Sequence, residues 1–284
     1  MMFYHGAPGW PGWLDRLECE LKASEGGSWL DRVVCRVIDR ARIARGEAVV
    51  DLGAGTGLVT VRAARAAGPS GTVVAVDASP DCLERLERDC AGMGLVNVSA
   101  VTGRLERLPL ESSKFDVAVC RSALCYCVDL TGALSEMSRV LVPGGRFSVF
   151  EPLMGEMAWN REVSEDFQSM ETALKERRAS SLDREMLRAA FTDAGLAGLG
   201  SLVVHFSIGG KGRSVMELAG EYLYDLPGDL AAFRVLIEAG FAEERIKEAA
   251  EAFARLVAAG DLEGTLPCLY AWGEKPAKVE RGHV

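Results

Sequence analysis

Val49-Val50-Asp51-Leu52-Gly53-Ala54-Gly55-Thr56-Gly57 is the stretch that decides the fold. A short apolar run ends in an acid, breaks into a glycine turn, and passes into a helical pattern that reaches Gly68. Glycine at a strand-to-helix turn takes backbone angles that other residues avoid and lets the main chain approach a neighbour closely. The helix beyond it presents unpaired amides. The spacing is G-x-G-x-G, which differs from the G-x-G-x-x-G turn of a dinucleotide site. Taken alone, the turn also suits a plain tight bend in another α/β protein.

Outward from this turn the pattern alternates strand with helix. Thr72 to Asp77 reads as a second strand. Ser79 stands as N-cap of the next helix with Pro80 in its first turn, and Leu83, Leu86 and Cys90 mark its buried stripe. Val98 to Val101 and Phe115 to Cys120 are the third and fourth strands. Asp129 caps a helix whose inner face is Leu130, Leu134, Met137 and Leu141. Pro143-Gly144-Gly145 then turns into the strand Arg146 to Glu151. On the N-terminal side, a helix from Ser28 repeats Leu30, Val33, Val34, Val37, Ile38 and Ala41 at helical spacing. Strands this apolar, separated by helices of this length, imply a parallel sheet covered on both faces, an α/β fold.

The second half is less regular. Leu182 to Ala194 reads as a helix ended by Gly195, Leu199 to Ile208 as a strand and Leu266 to Gly273 as the last strand. Residues 212 to 260 read as helical, with Ile246, Ala250, Phe253 and Val257 on one stripe. The expected organisation is an N-terminal arm with helices (1–46) and a core (47–152). The remainder of the core (153–275) carries helical cover insertions at about 153–180 and 209–262, and a loose tail (276–284) comes last.

Composition narrows the partners. A net charge of −9, with no block rich in Lys and Arg, argues against nucleic acid, whose affinity comes largely from neutralised phosphates. No apolar run approaches the roughly 20 residues that span a bilayer, and Met1 to Trp13 lacks the layout of a signal peptide. Eight cysteines without a CxxC pair or secretory features read as reduced thiols and give no support to a metal site. The expectation is a cytoplasmic protein with a small-molecule partner. The oligomeric state is left open, a homodimer included.

Asp77, at the end of the second strand, either accepts bonds from both hydroxyls of a ribose or caps the next helix. Its place in a longer series tips the reading toward the sugar. DLGAGTG at 51–57, VVAVDAS at 73–79, GRLERLP at 103–109, FDVAVCRSAL at 115–124 and SRVLVPGGRF at 138–147 occur in this order. With these motifs the chain resembles the class I S-adenosylmethionine methyltransferases, especially the group that includes the ubiquinone and menaquinone methyltransferases. The resemblance is strong over about 47 to 152.

It implies a Rossmann-like, seven-stranded, mostly parallel sheet that binds S-adenosyl-L-methionine. Gly53, Ala54 and Gly55, with Thr56 and Gly57 completing the turn, would line the methionine part, Asp51 near its amino group. Asp77 would hold the ribose, Ala78 and Ser79 would lie beside the adenine, and Leu105 would meet the adenine through its amide. Cys120, Arg121 and Ser122, at the mouth of the fourth strand, would lie near the sulfonium and the methionine. Arg104 stands where many relatives have an Asp that bonds the adenine amino group. An arginine has no acceptor to offer, so Glu106 or a backbone carbonyl would take that contact.

Methyl transfer is an in-line displacement that needs alignment and exclusion of water, with a general base only where the acceptor must lose a proton. His5, in the aromatic arm beside Tyr4, either lines the active site or is a solvated terminal histidine. Tyr126 comes after the fourth strand, where the resemblance places substrate-facing residues. Glu151 either orients a substrate, acts as a base or caps a neighbouring segment. His205 reads as a strand histidine more than a base, Trp159 and Tyr222 as packing or pocket wall, and His283 as part of the tail. Cys120, Cys125 and Cys127 admit a thiophilic substrate such as trivalent arsenic, though buried cysteine is commonly a small apolar residue. The leading expectation is an enzyme that methylates O, N or C of a small molecule. The alternative is a protein that binds the cofactor without turnover, as a sensor or scaffold.

Overall fold

The computed structural model describes residues 28–160, 164–177, 182–209, 232–261 and 263–277. Helix α1 (Ser28–Ala41) leads into the alternation β1 (Ala48–Leu52), α2 (Leu58–Ala67), β2 (Thr72–Asp77), α3 (Pro80–Gly92), β3 (Val98–Thr102), β4 (Phe115–Arg121), α4 (Leu130–Val140) and β5 (Leu141–Pro152). Next come β6 (Ala158–Trp159), α5 (Glu165–Arg177), α6 (Arg184–Asp193), β7 (Ala197–Gly209), α7 (Ala232–Glu238), α8 (Glu243–Ala258) and β8 (Glu263–Glu274). The caps act where the sequence places them. The Ser79 hydroxyl accepts from the Cys82 amide at 3.3 Å, and the Asp129 carboxylate from the Gly132 amide at 2.8 Å.

The sheet runs β3-β2-β1-β4-β5-β8, with β7 along the outer side of β8. The first five strands are parallel; β8 lies antiparallel to β5, and β7 antiparallel to β8. The count is eight where seven were expected. The extra strand is β6, two residues whose Ala158 and Trp159 pair with Thr265 and Gly264. Two residues have no readable period. The absence of a side chain at Gly264 leaves room for the Trp159 ring, which a Cβ there would meet at 2.6 Å.

Two apolar layers cover the sheet. Val49, Val73, Val117, Val119 and Phe150 face α1 and α2. Val50, Leu52, Ala118, Cys120, Phe147 and Val149 face α4 and α6, where Phe147 stacks on Phe191 at 5.0 Å. Leu134 and Met137 are buried as expected, but the inner face of α4 also uses Ala133 and Val140. In the second half Met170 of α5, Leu236 of α7 and Ile246 and Ala249 of α8 form a cluster of their own, with an Asp166–Arg245 ion pair beside it. Part of the expected 212–260 helical region, through residue 231, lies outside the described residues. Among the described residues no helix is long and apolar enough to cross a membrane.

Strand order also fixes where a ligand can enter. It reverses between β1 and β4, and in open α/β sheets the crevice at such a reversal, beyond the carboxyl ends of the strands, is where ligands bind.

Candidate active site

At the end of β1 the chain turns through Gly53 (φ 72°), Gly55 (φ 53°) and Gly57 (φ 97°), angles that favour glycine. Two of these glycines make room for the protein itself. A Cβ on Gly53 would lie 2.2 Å from the Cβ of Ala123, and one on Gly57 would lie 2.9 Å from the Leu86 side chain. The turn thus packs against the loop after β4 and against α3. Its amides are largely engaged: Gly53 and Ala54 both donate to the Val76 carbonyl, at 2.8 and 3.0 Å, and Gly57 donates to the Ala54 carbonyl. Gly55 donates to the Asp77 carboxylate at 2.8 Å.

Asp77 closes β2 with its second oxygen accepting from the Ser79 amide at 2.9 Å. The carboxylate therefore braces both the glycine turn and the start of α3. A carboxylate oxygen accepts more than one hydrogen bond, so bracing the turn does not by itself bar contact with a ligand.

Asp51 is 1% exposed. One of its oxygens accepts from the Thr60 hydroxyl at 2.6 Å. The other is buried and, among the described residues, meets no donor. Burial pushes this carboxyl up to about 7, against the opposing pull of the Thr60 hydroxyl and the Arg121 guanidinium. A buried acceptor left short in a native fold calls for an explanation. Thr60 was missed in the sequence; its signal was a lone hydroxyl on the inward face of an otherwise apolar helix turn.

Glu151 is the opposite case. Its carboxylate accepts from the consecutive amides of Ala123, Leu124 and Cys125, at 2.9, 2.9 and 3.2 Å, and from the Cys120 thiol at 3.6 Å. It is wholly buried, and burial raises its carboxyl above the ordinary value, opposed by these amides. Of the roles expected for it, the geometry is that of the cap, applied to the loop after β4. Held by this clamp, Ser122 adopts φ 52° and donates to the Phe150 carbonyl at 2.7 Å. Tyr126 ends a short 3₁₀ turn in the same loop, half-buried.

On the β3 side, Leu105 is buried and the Gly103 amide donates to the Asp77 carbonyl. Arg104 pairs with Glu106 at 3.2 Å, and the same Glu106 oxygen accepts from the Val128 amide, linking this loop to the one after β4. Cys120, Cys125 and Cys127 are buried, and burial pushes each thiol well above its usual value, so they stay protonated. Among the described residues no group of three or more His, Cys, Asp or Glu is arranged to hold a metal ion.

The structure brings together Asp51, the 53–57 turn, Asp77, Ala78, Ser79, the 104–106 loop and residues 120–122. It does not bring His205 to them. That residue is exposed on β7 opposite Pro267, two strands beyond β5. Trp159 lies half-buried on β6. Tyr4, His5 and Tyr222 lie outside the described residues.

Residues 49–145 match the model of a family described as a methyltransferase domain. Over 115 residues the chain is 36% identical to the ubiquinone/menaquinone biosynthesis C-methyltransferase UbiE of Pasteurella multocida (strain Pm70), covering 40% of this chain and 43% of that one. Over 181 residues it is 32% identical to UbiE of Enterobacter sp. (strain 638), covering 56% of this chain and 70% of that one. The chain spans less than half the length of the curated relatives first matched. Its fold is similar to that of the YcgJ protein from Bacillus subtilis, with TM-score 0.59 and 21% identity over 87% of this chain and 99% of that one.

Proposed function

The chain belongs to the class I S-adenosylmethionine-dependent methyltransferases, and we propose that it transfers a methyl group from that cofactor to O, N or C of a small-molecule acceptor. The observation that carries this reading is the donor set at the reversal of the sheet. Two carboxylates, Asp51 and Asp77, flank a glycine turn whose amides are largely spent on the protein. A pyrophosphate would find few donors there and two negative charges. An ammonium and a sugar diol find carboxylate acceptors in Asp51 and Asp77. The residues present therefore fit an adenosyl sulfonium.

When bound, that cofactor supplies a methyl group on positively charged sulfur, already activated for displacement. The chain's own part is to bind, orient and exclude water. In our reading Asp51 and Gly53 to Gly57 receive the methionine end, Asp77 the ribose, and Ala78, Ser79 and Leu105 the adenine. Glu106, with one oxygen engaged by Arg104 and Val128, offers its other oxygen to the adenine amino group. Cys120 to Ser122 border the reacting centre, and Glu151 acts by holding the 123–125 amides in place. We assign the acceptor side to Tyr126 and Trp159, and to Tyr4, His5 and Tyr222 beyond the described residues. The cover is assigned to the segments that meet in the Met170, Leu236 and Ile246 cluster. The acidic surface charge and the cysteine usage favour a cytoplasmic setting.

The test is calorimetric titration of the full chain with S-adenosylhomocysteine, and then transfer of labelled methyl to a panel of phenols, amines and quinones. Binding with transfer to one acceptor class is the expected result. Binding without transfer to any of them would point to a sensor or scaffold, and tight binding of a nicotinamide dinucleotide instead would overturn the reading.

A further inference from the structure

The two edges of the sheet are finished differently. β3, at one edge, is five residues long, and β7, at the other, runs thirteen residues from Ala197 to Gly209. One side of β7 pairs with β8 in antiparallel register from Gly200 to Gly209, and among the described residues nothing pairs with its other side. A row of open main-chain donors and acceptors is a template for another strand, and folded proteins blunt it with short strands, charge or proline. β3 has the first of these devices. β7 has none of them: it carries no Asp, Glu, Lys, Arg or Pro. Its register shift between Ala197 and Gly200 leaves the rest of the edge regular. Ser201, His205 and Ser207 are exposed, and Leu199 and Leu202 are each 37% exposed.

Charge narrows the occupant. The chain carries a net charge of −9, so two copies repel over most of their surfaces, and a basic partner is drawn to the acids elsewhere. A strip without charge is where two acidic copies meet at least electrostatic cost. The strand is also its own complement. Two identical strands laid antiparallel close about a two-fold axis, each receiving the groups it offers, and the assembly ends at two copies. Such a pairing covers Leu202, which is paired with Tyr270 and stands on the same face as Val204 and Phe206, giving the contact an apolar centre.

We propose that the outer edge of β7 is a dimerisation surface, where a second copy of the chain adds its own β7 antiparallel and continues the sheet across both copies. The surface is independent of the proposed function, because β7 lies two strands beyond β5 and away from the crevice between β1 and β4.

Analytical ultracentrifugation of the full chain over a wide range of concentration reads the assembly. The wild type sediments as a dimer that dissociates on dilution. Leu202→Lys brings two like charges to the axis and raises the dimer dissociation constant about tenfold or more, with S-adenosylhomocysteine affinity unchanged. Val96→Lys, at an 87% exposed position before β3, leaves the dimer intact. If thermal melting shows Leu202→Lys unfolded, hydrogen exchange of the wild type decides: amides of 200–208 exchange more slowly in the concentrated sample than in the dilute one. A wild type that is monomeric at every concentration overturns the proposal. So does a dimer whose 200–208 amides exchange alike at both concentrations, or one that folded Leu202→Lys forms as well as the wild type. Loss of the dimer in Val96→Lys alone places the contact at the other edge and overturns it too.

Discussion

Asp51 and Glu151 end strands on either side of β4, and both are closed to solvent, but their surroundings are opposite. Glu151 lies on the α4 and α6 face and is met by three amides and a thiol. Asp51 lies on the α1 and α2 face and is met by one hydroxyl. Desolvating a carboxylate costs several kcal/mol unless donors replace the lost water. The fold supplies that replacement in full at Glu151 and in part at Asp51. A buried acid that the protein satisfies serves the architecture, and we propose that the one left short is held for a ligand. The loop after β4 joins the two, because Glu151 fixes the segment whose Ala123 packs on Gly53, two residues beyond Asp51.

The largest test of this contrast is Glu151→Ala, which strands three amides and a thiol in the interior. We expect a loss of about 3–5 kcal/mol in denaturant unfolding, with Glu151→Gln losing less because one acceptor oxygen stays. A loss below about 1 kcal/mol would break the comparison on its structural side.

Gly53→Ala comes next. It places a methyl 2.2 Å from the Ala123 Cβ at a φ of 72°, for an expected cost of about 2–4 kcal/mol. Ala123→Gly in the same chain should recover the part due to the clash and leave the part due to the backbone. Absence of recovery in a double-mutant cycle would mean that the two loops do not meet as described.

Asp51→Asn should behave in the reverse sense to Glu151→Ala. Its carboxyl stands at about 7 in the folded chain against an ordinary 3.8. Between these values the folded protein holds a proton that the unfolded chain has released, so the acid's contribution to stability falls as pH rises through the window. The neutral asparagine escapes that fall. At pH 8 the variant should match or exceed the wild type, by up to about 4 kcal/mol. Its affinity for S-adenosylhomocysteine should drop by about 1–3 kcal/mol. The wild-type affinity should itself weaken below pH 7, by up to about tenfold per pH unit, as Asp51 takes up a proton and ceases to attract an ammonium. A flat pH profile, or a variant less stable than wild type at pH 8, would contradict the picture of Asp51 as an unsatisfied acid.

Cys120→Ala is the smallest change. It removes a weak thiol donor to Glu151 and should cost about 0.5–1.5 kcal/mol of stability in denaturant unfolding. A large fall in affinity would move the thiol from the clamp to the ligand.

How far the chain could be read in advance depends on the distance over which each feature is decided. The β1 to β4 alternation, the glycine turn and the Ser79 and Asp129 caps came out residue for residue or nearly so, whereas β5 begins at Leu141 and takes in the expected turn at Pro143-Gly144-Gly145. Periodicity, turn chemistry and capping are settled within a few positions of the chain. The second half was read less fully. Its helices pack on one another across about 80 residues, as Met170 with Ile246, and β6 pairs Trp159 with Gly264, 105 residues away. The same divide runs through the site. The positions of Asp51, Asp77 and Glu151 at strand ends were legible, because strand ends are set by local pattern. Which of them the protein satisfies was not.

The sequence alone therefore determined the α/β class, the G-x-G-x-G turn and an acid at the end of each of three strands. Only the folded sheet decided that the 123–125 amides would converge on Glu151, that Thr60 would donate to Asp51, and that Arg121 would stand on the same face as Asp51. The reason is geometric: hydrogen bonds between residues tens of positions apart depend on strand order and register, which no local period encodes.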